Sequence, residues 1–269
     1  MDFLHVRDHR LEYKRIDPGA RHGAAAGAPT LVFLHEGLGS LALWKDFPEK
    51  VSQATGCTSI VYSRYGYGKS DRLAEARGVD YMHHEALEVL PELLNALSIR
   101  KPILIGHSDG ASIALIHTGA RRRPVRGLVL LAPHVFVEDI TVESIAEAKV
   151  AFDKTDLPSK LARYHDDAES TFRGWNDIWL HPDFRAWNIE EYLAGVTCPV
   201  LLIQGEDDQY GTSSQVEAIA RQVCGPVATL MLPNCAHSPH VDQTQATVEK
   251  IAHFVRELGD TTLTAKNKR

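Results

Sequence analysis

A serine hydroxyl attacks a carbonyl only when a neighbouring base takes its proton. Ser108 has the setting for that chemistry. It sits at the centre of Gly106-His107-Ser108-Asp109-Gly110, which fits G-x-S-x-G. The pattern alone is weak, and its flanks strengthen it. PILI precedes it and ASIALIHTGA follows it, so the serine stands where a buried strand turns into a helix. A side chain at 106 or 110 would crowd the neighbouring backbone. Such a turn exposes the hydroxyl at the strand tip, above a helix N-terminus that favours developing negative charge.

Serine sites of this strand–turn–helix kind order their partners Ser, acid, His along the chain. His237, in Pro-Asn-Cys-Ala-His-Ser-Pro-His just after the apolar run VATLML, is the preferred base. His240 is its rival, with a helix start near the rim as the alternative reading. The acid should follow the preceding strand, where PVLLIQ runs into Gly205-Glu206-Asp207-Asp208. Asp208 is preferred over Asp207, because the third residue after the turn glycine usually points inward. Its carboxylate would accept the imidazole proton and stabilise the imidazolium. An oxyanion hole needs two N–H groups. Asp109 supplies one, and Gly37, with Leu38 as its neighbour, is the candidate for the other.

The elements that would position these groups are legible as period and punctuation. Strands are expected over 2–7, 11–16, 30–35, 57–62, 102–106, 126–132, 199–204 and 227–232. Helices are expected over 44–55, 83–97, 111–120, 213–223 and 243–258. The stretch 17–29 is rich in Gly, Ala and Pro and reads as a loop. Alternation of this sort implies a mostly parallel sheet with helices on both faces. From 137 to 196 the rhythm breaks into helical patterns dense in aromatics. That stretch is too long for a simple crossover and reads as a helical cap inserted after the sixth strand, over the carboxyl ends where ligands bind. The expected division is 1–136 with 197–260 as core, 137–196 as cap, and 261–269 as a disordered tail.

Composition narrows the function classes. The 269 residues carry a net charge of −6, so no basic surface for nucleic acid is indicated. Arg121-Arg122-Arg123 closes a predicted helix and suits its dipole. Cys57, Cys198, Cys224 and Cys235 form no CxxC pair, so neither zinc nor a disulfide framework is expected. No secretory leader and no apolar stretch of about 18 residues is visible, so a cytoplasmic protein without a membrane span is expected. Gly68-Lys69-Ser70 imitates the end of a P-loop, but Ser63 stands where the first glycine would have to be. His83-His84-Glu85 lacks an i, i+4 histidine pair, so a solvated helix start is expected there and no metal.

His35-Glu36-Gly37, Arg64 to Ser70, Gly106 to Gly110, Gly205 to Asp208 and Ala236-His237-Ser238 occur in one order. Together they resemble the capped, serine-type α/β-hydrolase family, over most of residues 30–258. The resemblance implies an α/β-hydrolase fold and a cofactor-free serine hydrolase. It would cleave a small carboxylic ester, thioester or related acyl compound through an acyl-enzyme. Ser63 replaces a frequent Asp of the family, with structural consequences expected. Glu36 replaces the family's usual glycine and is a candidate to line the site. Phe136, Trp175 and Trp179 are candidate substrate contacts, with Phe172 and Trp187 as further candidates. Most of the cap aromatics are expected simply to pack the cap. Two alternatives stay open. One is C–C bond hydrolysis of ring-fission products (2-hydroxy-6-oxo-dienoates), although Ser238 stands where those enzymes carry Trp. The other is a ligand-binding or non-hydrolytic protein on the same scaffold. The Asp-nucleophile dehalogenases and epoxide hydrolases do not fit Ser108, and the Gly-Gly-Ser-Trp-Gly elbow of proline-type aminopeptidases is absent.

Overall fold

The computed structural model describes residues 1–19 and 28–266. The loop expected over 17–29 therefore lies largely outside the described residues. The eight strands are β1 (Asp2–Val6), β2 (His9–Ile16), β3 (Leu31–Leu34), β4 (Ser59–Tyr62), β5 (Ile103–His107), β6 (Gly127–Leu131), β7 (Val200–Gly205) and β8 (Val227–Leu232). They form one sheet in the order β1-β2-β4-β3-β5-β6-β7-β8. β1 and β2 are antiparallel to their neighbours, and every pair from β4 through β8 is parallel.

The central strands LVFL, ILIGH, GLVLL and VLLIQG are buried along their whole length. Parallel strands read as unbroken apolar runs because helices cover both faces. Alternate residues divide between those faces. Leu31, Phe33, Ile103, Ile105, Val129, Leu131, Leu201 and Ile203 pack with Phe47, Val51, Ile251 and Phe254. The last four lie on α1 (Phe47–Thr55) and, after the other helices below, α10 (Thr244–Lys266). Val32, Leu34, Leu104, Leu128, Leu130 and Leu202 face the other layer.

That layer starts with α2 (Tyr81–His84), a π-turn over Glu85–Val89, and α3 (Leu90–Ala96). One continuous helix was expected over 83–97. Pro91 explains the interruption: it has no N–H to give, and its ring crowds the carbonyl one turn back, at Leu87. α4 (Asp109–Gly119) follows the serine turn. α5 (Asp139–Lys154), α6 (Leu157–Leu161) and α7 (Ala168–Trp179), then two 3₁₀ turns, fill the span between β6 and β7. Phe172, Trp179, Phe184, Trp187 and Leu193 from this span join the same apolar cluster as the sheet. α8 (Ser213–Gln222) and the short α9 (Pro239–Asp242) precede α10. α10 takes in 261–266 of the expected tail, and 267–269 lie outside the described residues. Among the described residues, no helix is long and apolar enough to cross a membrane. Cys57, Cys198, Cys224 and Cys235 are all free thiols.

Candidate active site

Ser108 lies between β5 and α4 with φ 52° and ψ −116°, a conformation that L residues seldom adopt. Such strain persists only where the surroundings over-determine it. Here its N–H donates to Leu131 O at 2.9 Å, and its carbonyl accepts from Ala111 at 2.8 Å and Ser112 at 3.1 Å. The two motif glycines are required by contact. A Cβ at Gly106 would come within 2.4 Å of Gly110 O, and one at Gly110 within 2.0 Å of Leu34 O. The first turn of α4 is thereby pressed against the end of β3, and the 35–37 turn comes to lie beside Ser108.

A second close approach brings the candidate acid and base together. A Cβ at Gly205 would meet Cys235 O at 2.0 Å, so the end of β7 lies flat on the loop after β8. The Glu206 N–H donates to Leu232 O at the end of β8 at 2.9 Å, and the Asp207 N–H to Cys235 O in that loop at 3.0 Å. Asp208 and His237 result as neighbours, with Nδ1 to Oδ1 at 2.8 Å. The Tyr210 N–H also donates to Oδ1, at 2.9 Å. Burial pushes the Asp208 carboxyl up. The charge and hydrogen bond of His237, with the Tyr210 amide and His134, outweigh it and hold the group below its ordinary value. Asp207 is exposed and takes no part. The imidazole Nδ1–H thus faces a carboxylate, and Nε2 is left toward the cavity. Ser108 Oγ and His237 line the same cavity. Among the described residues they are not yet hydrogen-bonded to each other, which is common before substrate is bound.

The candidate oxyanion turn is fixed through one carbonyl. Glu36 O accepts from His35 Nδ1 at 2.7 Å, Arg64 Nη2 at 2.9 Å and the Gly39 N–H at 3.1 Å. Because the trans peptide is planar, the Gly37 N–H points opposite that carbonyl, away from Arg64. The Arg64 N–H donates to His35 Nε2 at 3.1 Å, which fixes the tautomer as Nδ1–H. Burial, then the Arg64 charge, keep His35 well below its ordinary pKa and neutral. Ser63 Oγ accepts from the Leu41 N–H at 2.8 Å and donates to the buried Glu12 at 2.6 Å, so the substitution of the family's Asp is structural. Asp109, the first residue of α4, has no intrahelical acceptor for its N–H. Its side chain turns away from the cavity into a buried network. Tyr81 Oη donates to Asp109 Oδ2 at 2.7 Å, Trp179 Nε1 donates to Tyr81 Oη at 3.1 Å, and Arg64 Nη2 lies 3.6 Å from Asp109.

The Glu36 side chain lines the cavity and lies 3.4 Å from His107 Nδ1. His107 Nε2–H donates to His237 O at 2.8 Å. Burial lowers the His107 pKa, but the Glu36 carboxylate and the His237 carbonyl more than compensate and raise it. Burial likewise raises Glu36, and His107, His240 and His35 overcome it and bring it down. His240 is not at a rim. It is buried against Trp44 and Phe47, and burial followed by the His107 charge pushes it down to about 3.

The cavity beside Ser108 holds about 100 Å³. Its walls include Trp175, Trp179 and Ile145, with Thr141, Tyr210 and His134. The Trp175 indole covers the oxyanion turn so closely that a Cβ at Gly37 would sit 2.0 Å from its Nε1. Three expected aromatics do not reach the cavity. Phe136 pairs its backbone with Asn188, Phe172 stacks on Phe152, and Trp187 stacks on Phe184. Sequence reasoning gave no role to His107, His134, Arg64 or Tyr81. His134 follows a parallel strand at its carboxyl end, and that was a usable signal. Nothing local marked Tyr81. Among the described residues, no group of three or more His, Cys, Asp or Glu could hold a metal ion.

A strained serine between a parallel strand and a helix, with a paired His and Asp from the ends of later strands, defines the class of α/β hydrolases. The chain belongs to the alpha/beta hydrolase family, whose model matches residues 31–250. Over 189 residues it is 26% identical to the human protein named serine hydrolase BPHL, covering 68% of this chain and 64% of that protein's length. Among solved structures, the fold resembles the proline iminopeptidase of Mycobacterium smegmatis, with TM-score 0.78, 17% identity, and 97% and 99% of the two chains covered. It also resembles the enol-lactonase of Burkholderia xenovorans LB400, with TM-score 0.73, 18% identity, and 95% and 100% covered.

Proposed function

We propose that this chain is a serine hydrolase that cleaves a small carboxylic ester or related acyl compound. The reading rests above all on the 2.8 Å bond between His237 Nδ1 and Asp208, beside a cavity that Ser108 also lines. Ser108 is the nucleophile and His237 the base that takes its proton through Nε2. Asp208 orients the ring and stabilises the imidazolium. The Gly37 and Asp109 N–H groups stabilise the oxyanion of the tetrahedral intermediate. His237 then protonates the leaving group and activates the water that releases the acyl group. The helices between β6 and β7 act as a cap, with Trp175 and Trp179 as substrate contacts and Glu36 at the cavity wall. No cofactor is needed for any step.

The experiment is labelling with a fluorophosphonate, together with turnover of p-nitrophenyl esters of increasing chain length. Labelling that disappears in Ser108→Ala and His237→Ala, with multiple turnovers on at least one ester, is the expected result. Folded protein that neither labels nor turns over would sink the reading.

A further inference from the structure

The cavity beside Ser108 has an unusual charge inventory. The two carboxylates and the paired histidine on its wall each have a partner inside the protein. Glu36 faces His107 at 3.4 Å, Asp109 is held by Tyr81 at 2.7 Å, and His237 by Asp208 at 2.8 Å. No Lys or Arg is among the lining residues. An ionised carboxylate entering here would lose its water and find Trp175, Trp179, Ile145 and the Glu36 carboxylate, with no cation to compensate. A cationic substrate would have to compete with His107 for Glu36.

His134 is different. It is 2% exposed, it lines the cavity, and its Nδ1 is buried without a hydrogen-bond partner. Its position is fixed from behind, since its carbonyl accepts from Ser112 Oγ at 2.7 Å. Its ring stands edge-on to Trp179 and 5.6 Å from the His237 ring. Burial, and next the neighbouring His237 charge, push its pKa down to about 3, so the ring is neutral and offers one N–H donor and one acceptor. Nδ1 is sealed beside Gly211, so Nε2, which has no protein hydrogen-bond partner among the described residues, is the atom that a substrate group in the cavity can reach.

We propose that the cavity admits an uncharged, short acyl compound bearing a hydroxyl, carbonyl or amide group, that His134 hydrogen-bonds this group, and that ionised carboxylates are excluded. The inference rests on the serine-hydrolase reading and names its substrate class. Shortness follows from the volume, about 100 Å³, against ~300–1,000 Å³ for sites of drug-sized ligands. Ring-fission dienoates, which carry a carboxylate, fall outside the class.

Three p-nitrophenyl esters of equal acyl length test this: butyrate, 3-hydroxybutyrate and hemisuccinate. The hydroxylated ester should exceed butyrate in kcat/KM by about 10-fold, the worth of one hydrogen bond. The hemisuccinate should fall below butyrate by about 100-fold, as an uncompensated charge requires. In His134→Phe the hydroxyl preference should fall toward one. In His134→Gln, which keeps a donor and an acceptor, part of it should survive. Should the Phe variant not fold, the wild-type order and the Gln variant decide. A hemisuccinate turned over as fast as butyrate overturns the proposal, as does a wild-type enzyme with no hydroxyl preference. If Ser108 is labelled by fluorophosphonate in that case, the hydrolase reading stands and this inference alone fails. Protein that neither labels nor cleaves any of the three esters sinks both.

Discussion

Two His–carboxylate pairs flank the same stretch of backbone, and they are spent differently. In the pair after β7 and β8, His237 gives Nδ1–H to Asp208 at 2.8 Å and keeps Nε2 toward the cavity. In the pair at the oxyanion turn and the serine turn, His107 faces Glu36 at 3.4 Å through Nδ1 and uses Nε2 to hold the carbonyl of His237. Residue types are shared, but only the first ring has a nitrogen free for proton transfer. The second can do no more than position the first. A histidine beside a carboxylate therefore says little about catalysis until both of its nitrogens are accounted for.

Breaking the first pair should have the largest effect. Asp208→Asn removes the acceptor for Nδ1–H and frees the wrong tautomer, so kcat should fall by about 10³ to 10⁴. Asp207→Asn, at an exposed neighbour, should leave kcat within about threefold. Steady-state kinetics on the best ester checks both, and a larger loss in Asp207→Asn than in Asp208→Asn would exchange the roles of the two aspartates. Next comes Gly37→Ala, which forces the turn and the Trp175 indole apart. With one oxyanion donor displaced, kcat should drop by about 10² to 10³ with a smaller change in KM. Glu36→Gln should cost less, about 10- to 100-fold in kcat, since it disturbs only the group that positions His237. A loss as large as that of Asp208→Asn would erase the distinction between the pairs.

The smallest effect is on stability against pH, and its sign separates His107 from its neighbour His240. His240 is pushed from 6.5 to about 3 in the folded protein, while the unfolded chain titrates near the ordinary value. Between those values the unfolded chain binds the extra proton, so stability falls as pH drops, by up to ~1.4 kcal/mol per pH unit. His134, pushed from 6.5 to about 3, acts in the same direction. His107, whose pKa is raised, acts in the opposite sense. Its contribution is complete below the unfolded value and is lost as pH rises through the folded one. Urea midpoints at pH 7, 5.5 and 4.5 should decline less steeply in His240→Phe than in the wild type. An unchanged slope would mean that His240 is not buried neutral.

Much of the scaffold was legible in the chain. Five continuous apolar runs became the five strands buried along their whole length, and the run at 227–232 became β8 with the same limits. The serine turn was readable because its glycines, its strand and its helix are adjacent in sequence. The helix break at Pro91 was missed because the apolar face continues across it, so the period carries no trace of it. Phe136 and four aromatics of 137–196 are wall candidates by type, with most of the cap aromatics expected simply to pack. Spacing shows that Phe136, Phe172, Trp175, Trp179 and Trp187 are apolar, but both the core and the cavity want apolar groups.

Local sequence determined what local physics governs: where the backbone must turn, where only glycine fits, which runs are buried, and which residue types could carry the chemistry. Tertiary structure alone decided which histidine keeps a free nitrogen. The bond that orients His237 spans 29 residues and the one that occupies His107 spans 130. Imidazoles are alike in sequence. They become different only when the sheet brings distant loops within hydrogen-bonding distance, because a bond length of about 3 Å is set by packing and not by spacing along the chain.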